Sequence, residues 1–90
     1  MVHYQYAHTS VEGQELHVFQ ILSGDSNPSV LGNLYPMLLD QHDIDRKDVI
    51  IISSDRTRYS EPSPVSSKLY SKLSAEDLSK LTWLEGALKY

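Results

Sequence analysis

Near the start of the chain, the side chains best suited to metal binding are those of two histidines, His8 and His17, with Glu15 close to the second. If their segments form a hairpin, the two imidazoles lie opposite each other. Imidazoles and a carboxylate are ligands that zinc and similar ions accept. A metal site needs three or four converging ligands, and the spacing brings together only the two histidines. We therefore predict no metal site and no cofactor, and interpret the pair as a cross-strand polar contact.

A second candidate group, Arg56, Arg58 and Tyr59, follows an apolar segment. The guanidinium group of arginine can donate two parallel hydrogen bonds to a phosphate or carboxylate, so these residues form a weak candidate ligand site. The neighbouring Asp55 and Glu61 can also pair with them at the surface. The chain lacks a glycine-rich phosphate loop and lacks the GxSxG and HExxH signatures. No sequence motif therefore indicates an enzyme, although a Ser–His pair formed only in space stays open.

The charges are divided unevenly along the chain. Residues 1–45 contain no Lys or Arg and six carboxylates, whereas the rest holds all eight basic residues and six acids, for a net charge of −4. An acidic region favours a basic partner and argues against direct nucleic-acid binding. Tyrosine is common at protein interfaces. The predicted partner-binding residues are Glu12, Glu15, Asp40, Asp43, Asp45, Tyr4 and Tyr6.

These charges predict a small acidic protein-binding module, an inhibitor that occupies a basic, nucleic-acid-binding surface of its partner. In size and charge the chain resembles small inhibitors that phages encode against host defence. The alternative is a small oligomeric ligand-binding domain or enzyme that uses the histidines and the Arg56–Arg58 loop. The chain has no cysteine and no apolar run near the roughly 20 residues of a membrane span. Residues 1–6 lack the basic start and apolar stretch of a signal peptide, so we expect none. We expect one cytoplasmic domain spanning residues 1–90.

The elements that must position these residues begin with a hairpin. Residues 2–9 and 15–22 are rich in aromatic and large apolar side chains, and Glu12-Gly13 between them indicates a two-residue turn. That turn pairs Val11 with Gln14. The register then continues outward through Tyr6 with Phe19, Tyr4 with Ile21, His8 with His17, Ala7 with Val18, and His3 with Leu22.

The helices are predicted from their caps and apolar spacing. One helix ends near His42 and begins either after Asn33, with Pro36 third, or after Asn27, with Pro36 as a kink. Another begins at Pro64 and presents Val65, Leu69 and Leu73. A last helix starts at the Ser74–Asp77 capping box and continues to about residue 89. The predicted core is Leu16, Val18, Leu34, Leu38, Ile44, Ile50, Ile52, Leu69, Leu81 and Leu84.

The resulting order is β-β-α-β-α, a two-layer α+β sandwich whose three-stranded sheet includes residues 48–53. We expect this third strand to lie antiparallel beside the first. The layout resembles a truncated ferredoxin-like sandwich. The third strand is apolar on both faces, so one face needs the C-terminal helix, a partner or a second copy to cover it. A homodimer is one predicted solution.

Overall fold

The computed structural model describes residues 2–23, 34–52 and 64–88, with the side chains of Ser23, Leu34 and Tyr35 excepted. It shows a small α+β protein with a four-stranded mixed sheet and three α-helices among these residues. In chain order the elements are β1 (Val2–Val11), β2 (Gln14–Ser23), α1 (Leu34–His42), β3 (Val49–Ile52), α2 (Pro64–Ser71), α3 (Ala75–Ser79) and β4 (Leu84–Leu88). A 3₁₀ turn, Arg46–Asp48, precedes β3.

The hairpin β1–β2 forms as the turn residues predict. Glu12 and Gly13 both have positive φ, at 52° and 79°, as a type I′ turn requires. All the predicted cross-strand pairs are present except one. His3 pairs with Ser23 instead of Leu22, because the register shifts between His3 and Tyr4. This irregularity is a β-bulge, which the alternation of apolar residues does not reveal.

The sheet order differs from the prediction. The strands lie in the order β3-β2-β1-β4, so β3 pairs in parallel with β2 and does not pair with β1. The place beside β1 is taken by β4, which pairs with it antiparallel. The predicted three-stranded sheet, with its third strand beside the first, is therefore wrong in strand number and in order.

Helices pack on both faces of the sheet, so the two-layer prediction is also incomplete. Val49 and Ile51 of β3 belong to a core cluster that includes Leu38 of α1. Ile50 and Ile52 belong to a second cluster with Leu69 of α2. Side chains alternate between the faces of a strand. One chain therefore buries all four residues of β3, and this strand gives no reason for a second copy.

The predicted long C-terminal helix is wrong. The Ser74 capping box forms, because the Ser74 side chain accepts from the Asp77 N–H and the Asp77 carboxylate accepts from the Ser74 N–H. The helix ends at Ser79, and the Trp83 indole N–H donates to the Leu78 carbonyl at 3.0 Å. The leucines at 78, 81, 84 and 88 have helical spacing, but the last two lie in β4. Pairing with β1 overrides that local pattern.

Gly86 explains why β4 fits against β1. A Cβ at this position would lie 2.5 Å from the Tyr4 ring carbon Cζ, so only glycine allows this close approach. Leu88 is buried against Tyr4 and Val2, whereas Leu84 is 61% exposed. The predictions for Val65, Leu81 and Leu84 are therefore corrected, because Val65 and Leu84 are exposed and Leu81 is only half-buried.

The end of α1 positions several of the candidate residues. The helix begins at Leu34, which makes Pro36 its third residue, and ends at His42 as predicted. Asp43 then adopts a positive φ of 53°, and the Ile44 N–H donates to the Leu39 carbonyl. This is a Schellman-type ending, in which the apolar Ile44 packs back on the core. The alternative start at Asn27 and the side chain of the predicted core residue Leu34 lie outside the described residues.

Candidate functional site

A row of aromatic and imidazole rings lies between the sheet and the end of α1. Tyr6 stacks on His42, with ring centroids 4.9 Å apart. Gln41 donates its side-chain N–H to the Tyr4 hydroxyl at 2.7 Å, and the Tyr4 hydroxyl lies 2.7 Å from His42 Nε2. Because the Tyr4 oxygen already accepts from Gln41, its own proton is available for a hydrogen bond to Nε2 of a neutral His42. Burial lowers the pKa of His42 and raises the pKa of Tyr4, so both groups favour their neutral forms.

The row continues into a polar patch beyond the end of α1. Tyr6 contacts His17 with its hydroxyl 2.5 Å from Nδ1, and His17 stacks on His8 at 4.4 Å. Glu15 reaches His8, with 3.6 Å between Oε1 and Nε2. Burial, and then the neighbouring His8, lower the pKa of His17, against an opposing effect of Glu15. Burial, and then Glu15, raise the pKa of Tyr6.

The predicted tyrosine contacts differ in their access to a partner. Tyr4 is only 1% exposed, because it lies under α1 and against Phe19. Its ring is part of the core, and no partner docking on the surface reaches it. Tyr6 is half-buried under His42 and against His17. Burial of these rings is what the alternating pattern of β1 indicates on the apolar side of a sheet.

Four of the five predicted acidic residues divide into two groups, and the fifth, Glu15, lies beside His8. Asp40, Asp43 and Asp45 are exposed and follow one another at the end of α1 and in the turn after it. Glu12 lies at the hairpin turn, where the Lys72 ammonium of the second half contacts its carboxylate at 2.5 Å. This hydrogen bond to Lys72 lowers the pKa of Glu12. The fold therefore brings a base from the second half to the first, and the acidic surface is not continuous.

Asp40 lies between two open, shallow depressions with mainly apolar walls. One is lined by Pro36, Met37, Leu39, Asp40 and Ile44. The other joins α1 to the sheet edge and is lined by Met37, Asp40, Gln41, Ala87 and Leu88. We call the union of these residues the Asp40 surface. It combines an exposed carboxylate with apolar contact area, which is the composition that a basic and partly apolar partner segment needs.

The Asp40 surface lies next to an unpaired sheet edge. β4 pairs with β1 on one side, and no strand among the described residues pairs with its other side. An unpaired edge presents backbone donors and acceptors to another chain. Neither this edge nor the contribution of Ala87 is visible in the sequence, where the apolar spacing of residues 78–88 indicates a helix. The Gly86 that permits the pairing is the one local signal against that helix.

Sequence reasoning also left Glu15 without a position relative to the two histidines. The observed register places it two residues before His17 on β2, and therefore on the same face as His17 and His8. One ligand atom from each of the three residues lies within 4.8 Å of the others. The other ligand-site candidates, Arg56, Arg58 and Tyr59, lie outside the described residues.

Comparisons with known proteins give no family for this chain: no family model, no curated protein and no solved structure matches it. No helix in the described part of the chain has the length and apolar character needed to cross a membrane.

Proposed function

We propose that the chain is a non-enzymatic, acidic protein-binding module that holds an extended, basic segment of a partner protein along the edge of β4. The observation that carries this proposal is the depression lined by Met37, Asp40, Gln41, Ala87 and Leu88, which joins an exposed carboxylate to the edge of β4 that no described strand pairs. A partner segment that adds a strand to β4 gains backbone hydrogen bonds along Leu84–Leu88. Side chains of that segment on the α1 side reach the Asp40 surface.

The partner chemistry follows from the charges and apolar contacts there. A Lys or Arg of the partner would pair with Asp40, while its aliphatic stem would cover Met37. Asp40 also lies in the last turn of α1, where a carboxylate is unfavourable to the helix by a few tenths of a kcal/mol or more. A role in binding gives a reason for an acid at that position. The exposed Leu84 adds apolar contact area at the other end of the strand.

The proposed action is competition for a basic surface. A partner that uses the same basic segment to bind nucleic acid would release that nucleic acid when this chain occupies it. The acidic residues Asp43 and Asp45, which follow α1, would extend the attraction and speed the encounter. The module would thus act as an inhibitor without contacting nucleic acid itself.

The first experiment captures partners from a lysate of the organism that encodes the chain, with three immobilised proteins compared in parallel. These are the wild type, Asp40→Lys, and the matched control Glu76→Lys, which reverses an exposed carboxylate on α3. A partner retained by the wild type and the control, and lost by Asp40→Lys, supports the proposal. Equal retention by all three proteins removes the Asp40 surface from the interface.

The second experiment uses the purified partner. We expect Asp40→Lys to weaken binding by about fivefold or more, equivalent to about 1 kcal/mol for an exposed ion pair. Affinity should also become less sensitive to salt. Hydrogen exchange should slow at the amides of β4 when the partner is bound, because strand addition protects them. Unchanged exchange in β4 would contradict the proposed edge contact even if the charge effect is observed.

A further inference from the structure

The hairpin holds three potential metal ligands on one face, outside the Asp40 surface. His8 and His17 are direct cross-strand partners, and Glu15 precedes His17 by two residues on β2. Residues two apart on a strand face the same side, and the opposite residue on the next strand lies between about 4.5 and 5.5 Å away at Cβ. Three possible ligand side chains are therefore brought together on one face without any contribution from a loop.

The distances agree with this convergence. One ligand atom from each residue lies within 4.8 Å of the other two, and His8 Nε2 is 3.6 Å from Glu15 Oε1. Because an ion bonded to nitrogen at about 2.0–2.1 Å separates its ligand atoms by less than about 4.2 Å, side-chain rotations alone can bring the ligand atoms into range. His8 and Glu15 are exposed and can make them, while the paired backbone of the hairpin stays in place.

His17 is already oriented by a second residue. It is 7% exposed, and its Nδ1 lies 2.5 Å from the Tyr6 hydroxyl. This contact leaves Nε2 as the nitrogen for an ion. With an ion on Nε2, the proton of the neutral ring lies on Nδ1 and is donated to the Tyr6 oxygen. Such outer contacts fix the ring of a histidine ligand and raise its affinity for metal.

We propose that His8, Glu15 and His17 form a binding site for a zinc-type divalent cation, with Tyr6 as the residue that positions His17. Two imidazoles and one carboxylate suit zinc and its first-row neighbours, whereas calcium and magnesium prefer oxygen ligands alone. Three protein ligands on an open face leave at least one position for water or for a donor from another molecule. The site is therefore of the open type.

The competing interpretation is a stacked histidine pair with an exposed ion pair. The rings of His8 and His17 are nearly parallel, at 9°, so their nitrogen lone pairs do not meet at one point in the present rotamers. Coordination requires the exposed His8 ring to rotate, and this is a movement that a simple stacked pair would not make. Zinc titration therefore separates the two interpretations.

The test is calorimetric titration of the untagged chain with zinc chloride in a buffer that does not chelate metals, near pH 7.5. We expect one ion per chain. Separate His8→Ala, Glu15→Gln and His17→Gln variants should each lose at least about tenfold in affinity, and Tyr6→Phe should lose about 10- to 100-fold with all three ligands intact. The matched control is His3→Ala, which removes an exposed histidine of β1 on the other face of the sheet.

Circular dichroism of each variant first establishes that the fold is retained. The ¹⁵N chemical shifts of the histidine rings in the wild type then provide a readout that does not depend on mutation. Zinc should shift the rings of His8 and His17 and leave His3 unchanged. Equal affinity of the wild type and His8→Ala, an equal loss in His3→Ala, or one ion per two chains with a doubled mass would each overturn a site within a single chain.

Discussion

His42 is the residue whose protonation most directly opposes the observed contacts. Its Nε2 lies 2.7 Å from the Tyr4 hydroxyl, to which Gln41 donates a hydrogen bond, and Tyr6 stacks on its ring. A protonated ring would place a hydrogen at Nε2 and a charge beside buried aromatic groups. The folded state therefore favours the neutral form, and burial lowers the pKa of His42 from its usual 6.5.

This lowered pKa predicts that acid destabilises the protein in a defined pH range. Above about pH 6.5 the ring is neutral in both states, whereas below it the unfolded chain binds the proton more readily. The free energy of unfolding should therefore fall as the pH is lowered from about 7 through 6.5 towards the pKa in the folded state. In His42→Gln, whose amide oxygen can accept from Tyr4, that fall should be smaller.

Urea unfolding followed by circular dichroism at several pH values between about 5 and 7.5 measures the effect. His3→Gln serves as the control, because it removes an exposed histidine on the other face of the sheet. An identical pH dependence in His42→Gln and the wild type would show that His42 does not carry this coupling.

At the scale of elements, β3 and β4 show that a large apolar side chain contributes differently to stability at different positions. Ile50 is fully buried between β2 and α2, while Leu84 is 61% exposed at the sheet edge. Both read as core residues in the sequence. The difference arises because helices cover both faces of β3, whereas Leu84 lies on an edge strand and belongs to neither core cluster.

We expect Ile50→Ala to cost about 2–5 kcal/mol of unfolding free energy, because it removes buried methyl groups and leaves a cavity. Leu84→Ala should change it by less than about 0.5 kcal/mol, as for an exposed site. Chemical denaturation of the two variants against the wild type provides the measurement. A comparable loss in both would mean that Leu84 is covered, and would contradict the exposed start of β4.

At the scale of the whole molecule, the two core clusters show whether a second copy of the chain is needed to cover β3. Leu38 of α1 covers one face of β3 and Leu69 of α2 covers the other, so the apolar strand is enclosed within one chain. Among the described residues both β3 and β4 are edge strands, but all four residues of β3 are fully buried, which leaves the edge of β4 as the exposed one. Self-association, if it occurs, is therefore expected there and not at β3.

Light scattering over a wide concentration range should accordingly give the monomer mass of 10.2 kDa. A concentration-dependent dimer that is abolished by Ala87→Lys, and kept by Glu76→Lys, would instead assign the β4 edge to a second copy of the chain. A dimer insensitive to Ala87→Lys would contradict the expectation that β4 is the pairing surface.

The sequence by itself determined the local features whose causes lie within a few residues. The Glu12-Gly13 turn set the hairpin register, Pro36 limited the start of α1, and Ser74 with Asp77 marked the start of α3. The apolar pattern of the strands correctly placed Leu16 and Val18 of β2 and Ile50 and Ile52 of β3 in the core, whereas the buried residues of β1 were not among the predicted core. These signals are readable because backbone geometry and side-chain period act locally.

Only the tertiary structure decided which elements are neighbours. The spacing of the leucines in residues 78–88 fits a helix. The last segment is nevertheless a strand, because it pairs with β1 and because Gly86 has no Cβ to collide with the Tyr4 ring. The strand order, the pairing of Lys72 with Glu12, and the depression between α1 and β4 follow from that arrangement. The convergence of Glu15 with His8 and His17 needed the confirmed register as well as the direction of each side chain. Such long-range contacts depend on packing free energy shared over the whole chain, which no short segment encodes.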